Sequence, residues 1–224
     1  MGATSSALPA THRGRGLALC GLLGALVFGL LPIATWLVPG NSLGKMLARE
    51  AIWWCCAAAI LLWLTLGERL PLSSIGFRTP TWKSVAFGLL AAVVTTAIMA
   101  VYFAVIVRAL HLSSATALAQ RQAILQTPFW FRVLLVLRAA VVEEILFRGY
   151  LIEKVRQLSG NTPLAVVVSI VAFSLAHLRA WGAAQLIAVG AAGTVFAFLY
   201  VWRRDLPSNM FCHFLTDAAG FLRP

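Results

Sequence analysis

Ala-Ala-Val-Val-Glu-Glu-Ile-Leu-Phe-Arg-Gly-Tyr-Leu, residues 139 to 151, sets two adjacent carboxylates and an arginine inside a stretch that otherwise reads as membrane-spanning helix. At the centre of a lipid-facing helix, Glu143, Glu144 and Arg148 would each cost roughly 2.5 to 3.5 kcal/mol on insertion scales. Three together therefore face one another, other helices or a water-filled cavity. On an α-helix Glu144 and Arg148 stand at i and i+4 with the acid on the N-terminal side, the better order for a pair. Glu143 points about 100° away and is not neutralised by that pair. An unpaired acid inside an apolar bundle is where function is to be sought.

The composition around this stretch agrees with a membrane setting. Of 224 residues, 61% are hydrophobic and 11% charged, against roughly 25% charged in soluble domains. The expected fold class is all-α, a polytopic bundle of membrane helices. A net charge of +11 raises nucleic acid as a partner, but Lys and Arg are spread through connecting loops and form no basic face. Anionic lipid headgroups are the plainer partner, and no nucleic acid is expected. Cys20, Cys55, Cys56 and Cys212 lie in apolar segments without metal-type spacing and read as small buried hydrophobes.

Taken in order, residues 1–16 are a small polar tail and 17–224 a single membrane domain, with the catalytic core helices within 129–222. The first apolar run extends from Leu17 to Val38 and is longer than the hydrophobic part of a typical signal peptide, so it reads as a retained helix. A second covers about Ala51 to Leu66. A polar connection broken by Pro71 and Pro80 follows, with Ile75-Gly76-Phe77-Arg78 as a short interfacial segment. Val85 to Val107 is the clearest span. The interval 108–128 reads as a surface-lying amphipathic helix. Phe129 to about Arg156 carries the opening motif, Pro163 opens a fifth helix to about His177, Gly182 to Trp202 is the sixth, and Pro207 opens the seventh. About seven spans result, eight if the interval 108–128 inserts. Basic residues in the loops slightly favour a cytoplasmic N-terminus.

Three other polar residues lie in apolar surroundings: His177, closing Ala172-Phe173-Ser174-Leu175-Ala176-His177, and His213 with Asp217 at i, i+4 spacing on one helix face. Counting 1.5 Å per residue places Glu143 and His177 at similar depth, with His213 shallower. The chemistry that fits is hydrolysis, in which a carboxylate takes a proton from water and imidazoles orient that water or stabilise an oxyanion. Glu143, His177, His213 and Asp217 also form a donor set sufficient for a divalent metal such as zinc with an open position for water. These residues alone leave open whether the glutamate is a base or a metal ligand. Each also has a structural use. Glu144 with Arg148 makes an orienting pair, His213 with Asp217 a clamp on the last helix, and Arg138 either a partner for Glu143 or a cavity-facing residue.

Glu143-Glu144 with three residues between Glu144 and Arg148, Phe173 with three residues between it and His177, and His213 four positions before Asp217 resemble the three-motif signature of the CPBP (ABI) family. That family comprises type II CAAX prenyl endopeptidases and bacteriocin-processing or immunity proteins. Ile75-Gly76-Phe77-Arg78 with Trp82 ahead of the third span fits the same layout. The resemblance implies an intramembrane endopeptidase in which Glu143 activates water with His177. Glu144 and Arg148 would support the site, and His213 with residue 217 would stabilise the oxyanion. The family is described both as metalloprotease and as glutamate-dependent without a catalytic metal.

One departure is that the last position is usually asparagine. An ionised Asp217 only accepts hydrogen bonds and would repel an oxyanion. It is therefore protonated, orients His213, or ligates a metal. The expected partner is a membrane-associated protein or peptide, cut at a CAAX-type or other C-terminal or precursor site. The alternatives are a non-enzymatic immunity or scaffold protein on the same fold and a proton-coupled transporter. No His-Glu-x-x-His, Gly-x-Gly-Asp or Gly-x-Ser-x-Gly occurs to suggest another class of intramembrane protease.

Overall fold

A computed structural model describes residues 12–109, 111–112 and 115–222. Most of the expected polar tail, residues 1–11, lies outside the described residues, as does Arg223. Among the described residues all regular structure is helical: α1 His12–Leu30, α2 Ile33–Leu37, α3 Leu43–Gly67, α4 Trp82–Ala109, α5 Ala115–Leu125, α6 at 129–159, α7 Thr162–Trp181, α8 Ala183–Arg203 and α9 Leu206–Phe221. The all-α bundle expected from composition is what the chain forms.

Local chemistry explains most boundaries. Thr81 and Ser84 cap α4 reciprocally, each side chain meeting the other's backbone N–H. At α7 the Asn161 side chain accepts from the Leu164 N–H at 2.8 Å, with Pro163 in the first turn where a missing N–H costs nothing. Gly160 closes α6 in the left-handed conformation, φ +70°. The expected first span from Leu17 to Val38 is not one helix. Pro32 cannot donate into the turn before it, and the chain breaks at Leu31–Pro32 before the short α2. The interval 108–128 holds α5 with Ala117 and Ile124 buried, a helix half turned to the bundle.

Among the described residues four helices, α3, α4, α7 and α8, are long and apolar enough to cross a membrane, where about seven spans were expected. Each remaining long helix departs from a plain apolar span in its own way. The apolar part of α1, Gly14–Leu30, is short; α9 has 16 residues; and α6 carries the charges that the protein needs inside. The chain is an integral membrane protein whose outer surface is apolar, with Leu89, Leu90, Val93 and Val101 of α4 and Val167 and Val171 of α7 exposed. Cys20 and Cys55 also lie on this outer surface and Cys56 is half-buried, so only Cys212 is buried as expected of all four.

The core is built around α6. Its residues Val142, Ile145, Leu146, Phe147, Tyr150, Leu151 and Ile152 are the centre of the main apolar cluster, and α1, α3, α7, α8 and α9 all pack on it. Against this cluster α9 lies closely along α4, because Gly88 gives it no side chain to clear. A Cβ there would come within 2.7 Å of the Ser208 carbonyl oxygen. α6 thus becomes the buried axis on which the polar residues are displayed inward.

Candidate active site

From Ala139 to Ile152, α6 is a π-helix, with backbone hydrogen bonds closing five residues apart. In an α-helix residues five apart are separated by roughly 140° around the axis. The wider turn brings them nearly into line, and Arg138 Nη1 donates to Glu143 Oε1 at 2.8 Å. The other edge of the same guanidinium serves α3: Nε donates to Glu50 Oε2 at 2.8 Å, and Nη2 reaches Glu50 Oε1 at 3.5 Å. Trp53, one turn along α3 from Glu50, lies 5.6 Å from the guanidinium carbon. The wide turn also leaves backbone carbonyls open to other helices, and Ser169 of α7 donates to that of Phe147 at 2.8 Å.

Glu144, on the next residue, faces a different side and is fully buried with Arg148. Arg148 Nη1 donates to Glu144 Oε1 at 2.8 Å, the pair expected from the i, i+4 spacing. The same oxygen accepts from His213 Nδ1 at 2.8 Å, while Oε2 accepts from Asn209 Nδ2 at 3.2 Å. The Arg148 guanidinium carbon lies 4.0 Å from the Phe173 ring centre and 5.2 Å from that of Phe196. Gly193 of α8 makes room for this stack, since a Cβ there would stand 3.0 Å from Phe173 Cδ1 and 3.4 Å from Arg148 Nη2. A buried ion pair of this kind is tolerable because hydrogen bonds and an aromatic face replace the lost water.

Phe173 joins the two histidines. Its ring centre is 4.5 Å from that of His177 and 6.1 Å from that of His213. His177 donates from Nδ1 to the Phe173 carbonyl at 2.7 Å, which fixes the ring and leaves Nε2 as the free lone pair. That Nε2 lies 3.6 Å from Glu143 Oε2, an oxygen buried from solvent and without a hydrogen-bond partner among the described residues. His213 Nε2 faces Asp217 Oδ2 across 3.5 Å.

The sequence-nominated residues therefore come together as two joined groups. Glu143 with His177 forms one; Glu144, Arg148, His213 and Asp217 form the other, and Phe173 packs between them. His213 is not set apart by the shallower depth that counting residues suggests, because Glu144 reaches it directly. Among the described residues no three His, Cys, Asp or Glu side chains are placed to hold a metal ion. The four donors nominated for zinc fall into the pairs Glu143–His177 and His213–Asp217. Arg138 takes the first of its two expected roles, as partner to Glu143. Glu50 and Asn209 are additions that sequence reasoning missed. Glu50 stands beside Arg49, just ahead of the apolar run expected from about Ala51, and Asn209 falls in the first turn of a helix, where asparagine usually serves a cap.

Comparison with known proteins supports the same stretch. No curated protein and no solved structure matches the chain. Residues 125–219 match the family model described as Rce1-like, type II CAAX prenyl endopeptidase Rce1-like. That segment holds every side chain of the two groups, and only Glu50 and Trp53 of the surrounding contacts lie outside it. The site-bearing part of this membrane protein is thus similar to the type II CAAX prenyl endopeptidases, the CPBP relationship that its three motifs imply.

Proposed function

We propose that the chain is a membrane-embedded endopeptidase that hydrolyses a peptide bond in a membrane-associated substrate, of CAAX type or at another C-terminal or precursor site. The observation that carries this reading is the half-partnered Glu143. Its Oε1 is held by Arg138, whereas Oε2 is buried, unpartnered among the described residues and 3.6 Å from His177 Nε2. Both atoms are acceptors that face each other, so a water that donates to each would satisfy the pair.

A water there donates one hydrogen to Glu143 Oε2 and the other to His177 Nε2, which turns its lone pair toward an incoming carbonyl carbon. As the carbon–oxygen bond forms, Glu143 takes the proton and the carbonyl electrons move onto its oxygen. When the tetrahedral species collapses, the carbon–nitrogen bond breaks and Glu143 returns the proton to the leaving amine. We assign the oxyanion to a hydrogen bond from the Nε2–H of a doubly protonated His213, whose Nδ1–H is already given to Glu144. Glu144 holds the opposite nitrogen of that ring, and Asp217, lying 3.5 Å from Nε2, acts as an orienting group. Glu144 and Arg148, both fully buried, fix the ring and do not meet substrate. The family match is to an endopeptidase, so the immunity or scaffold alternative is not favoured. The slight excess of basic residues in the loops on the N-terminal side supports a cytoplasmic N-terminus.

The test is cleavage of a farnesylated CAAX-ended reporter peptide by the purified chain in lipid vesicles. Glu143→Gln and His177→Ala, folded and inserted, should each lose activity by about 10²- to 10⁴-fold. Full activity in both variants overturns the reading. Activity that survives a zinc chelator supports proton transfer by the side chains alone. A stoichiometric metal that is lost in His177→Ala would place a metal-bound water there instead.

A further inference from the structure

We propose that Glu50 of α3 is a positioning residue that keeps Arg138 from gripping both oxygens of Glu143, so that one oxygen stays open for water. The inference rests on the role of Glu143 given above and extends it to a helix outside the matched stretch, residues 125–219.

Arginine beside a carboxylate favours a two-point grip, in which parallel N–H groups meet both oxygens. Such a grip on Glu143 would consume the oxygen that the mechanism needs. The structure prevents it by fixing how the guanidinium is turned. Glu50 holds Nε at 2.8 Å and Nη2 at 3.5 Å, and in that orientation Nη1 meets Glu143 at Oε1 and not at Oε2. Trp53 lies 5.6 Å from the guanidinium carbon and limits its rotation. Glu50 is itself only 7% exposed, so it is a costly residue to keep at this place unless its charge is used. Placing one cation between two carboxylates also lets Arg138 hold Glu143 without fully committing to it. Glu50 thereby acts through Arg138 and never touches the water.

The test measures kcat and KM on the same farnesylated reporter, per folded molecule, with the thermal midpoint followed alongside. Glu50→Gln should lower kcat on the order of 10- to 100-fold, the cost of a misplaced reacting group, with KM nearly unchanged. Arg138→Gln should also lower kcat, and the double variant should be no slower than Arg138→Gln, because Glu50 works only by way of that arginine. Glu50→Asp, which keeps the charge, should recover part of the rate. A folded Glu50→Gln with unchanged kcat overturns the inference, as do losses that add in the double variant. If Glu50→Gln does not fold, Arg138→Gln decides: unchanged kcat overturns the inference, and lowered kcat with unchanged KM supports it. A wild-type chain that leaves the reporter uncut overturns the CAAX-type endopeptidase reading, and the inference with it.

Discussion

Two polar layers cross the bundle on α6, and they differ in how completely their acids are partnered. In the layer toward the end of α6, Glu68 accepts from Tyr150 and Lys154, one oxygen each. Glu153 receives Tyr200 at 3.1 Å and Arg204 at 2.9 Å on Oε1, and Arg156 at 2.7 Å on Oε2. All four oxygens are answered, as buried acids with a structural task require. In the layer at residues 138–144, Glu50 and Glu144 are answered on both oxygens and Glu143 on one. An unanswered oxygen is not by itself the mark of a site. Asp205 Oδ1 is also without a partner among the described residues, but its other oxygen accepts from Ser208 in the first turn of α9, as a helix start would have it. What distinguishes Glu143 is an imidazole lone pair 3.6 Å from the open oxygen. The comparison teaches that one layer holds helices together and the other is kept incomplete.

The difference is broken most severely by cutting the pair that both buries charge and carries His213. Arg148→Ala leaves Glu144 fully buried without its arginine, which should cost about 3 to 5 kcal/mol. Far less folded protein should accumulate in membranes, and the denaturant midpoint of what remains should fall. Near-wild-type stability would mean that His213 and Asn209 suffice for Glu144, and that the arginine serves substrate instead. In the other layer, Lys154→Ala should lower stability by about 1.5 to 3 kcal/mol, the value of a hydrogen bond to a charged group. Glu68 would retain Tyr150, so the loss stays below that of Arg148. Reporter cleavage per folded molecule should be unchanged. A loss of kcat would show that the two layers are coupled along α6.

Much of this contrast was legible in the sequence, but not all of it. Insertion cost alone drew Glu143, Glu144 and Arg148 inward, and i, i+4 spacing paired the last two correctly. His177, His213 and Asp217 were found as polar residues in apolar runs. Hidden, however, was the width of the helix. Ala139–Ile152 looks like any apolar helix, and nothing in its side chains announces that its hydrogen bonds close at five residues. On α-helical geometry Arg138 and Glu143 point apart, so their pairing stood as one of two readings that spacing could not decide. Glu50 was missed for the same reason that it matters, because it comes from a helix far away in sequence and meets Arg138 only through tertiary packing. It stands next to Arg49 and just outside the apolar run from about Ala51, so it was not among the polar residues found in apolar surroundings. Apolar length alone also hid the break at Pro32, which divides the run from Leu17 to Val38 into two helices.

The gentlest way to sharpen the comparison is at the rim of the fully partnered layer. Arg156 is 40% exposed and binds Glu153 across one turn of helix. Glu153 keeps Tyr200 and Arg204 on its other oxygen when that arginine is removed. An exposed ion pair contributes little, because water screens it and two flexible side chains must be ordered to form it. Arg156→Ala should therefore change stability by no more than about 0.5 kcal/mol and leave cleavage of the reporter as it was. Thermal unfolding in the same lipid measures it. A loss comparable to that of Lys154→Ala would mean that the partners of Glu153 are not redundant, and that completeness in this layer is a condition of folding. The small effect expected places the weight on the inner contacts of Glu153, those to Tyr200 and Arg204, which tie α6 to the end of α8.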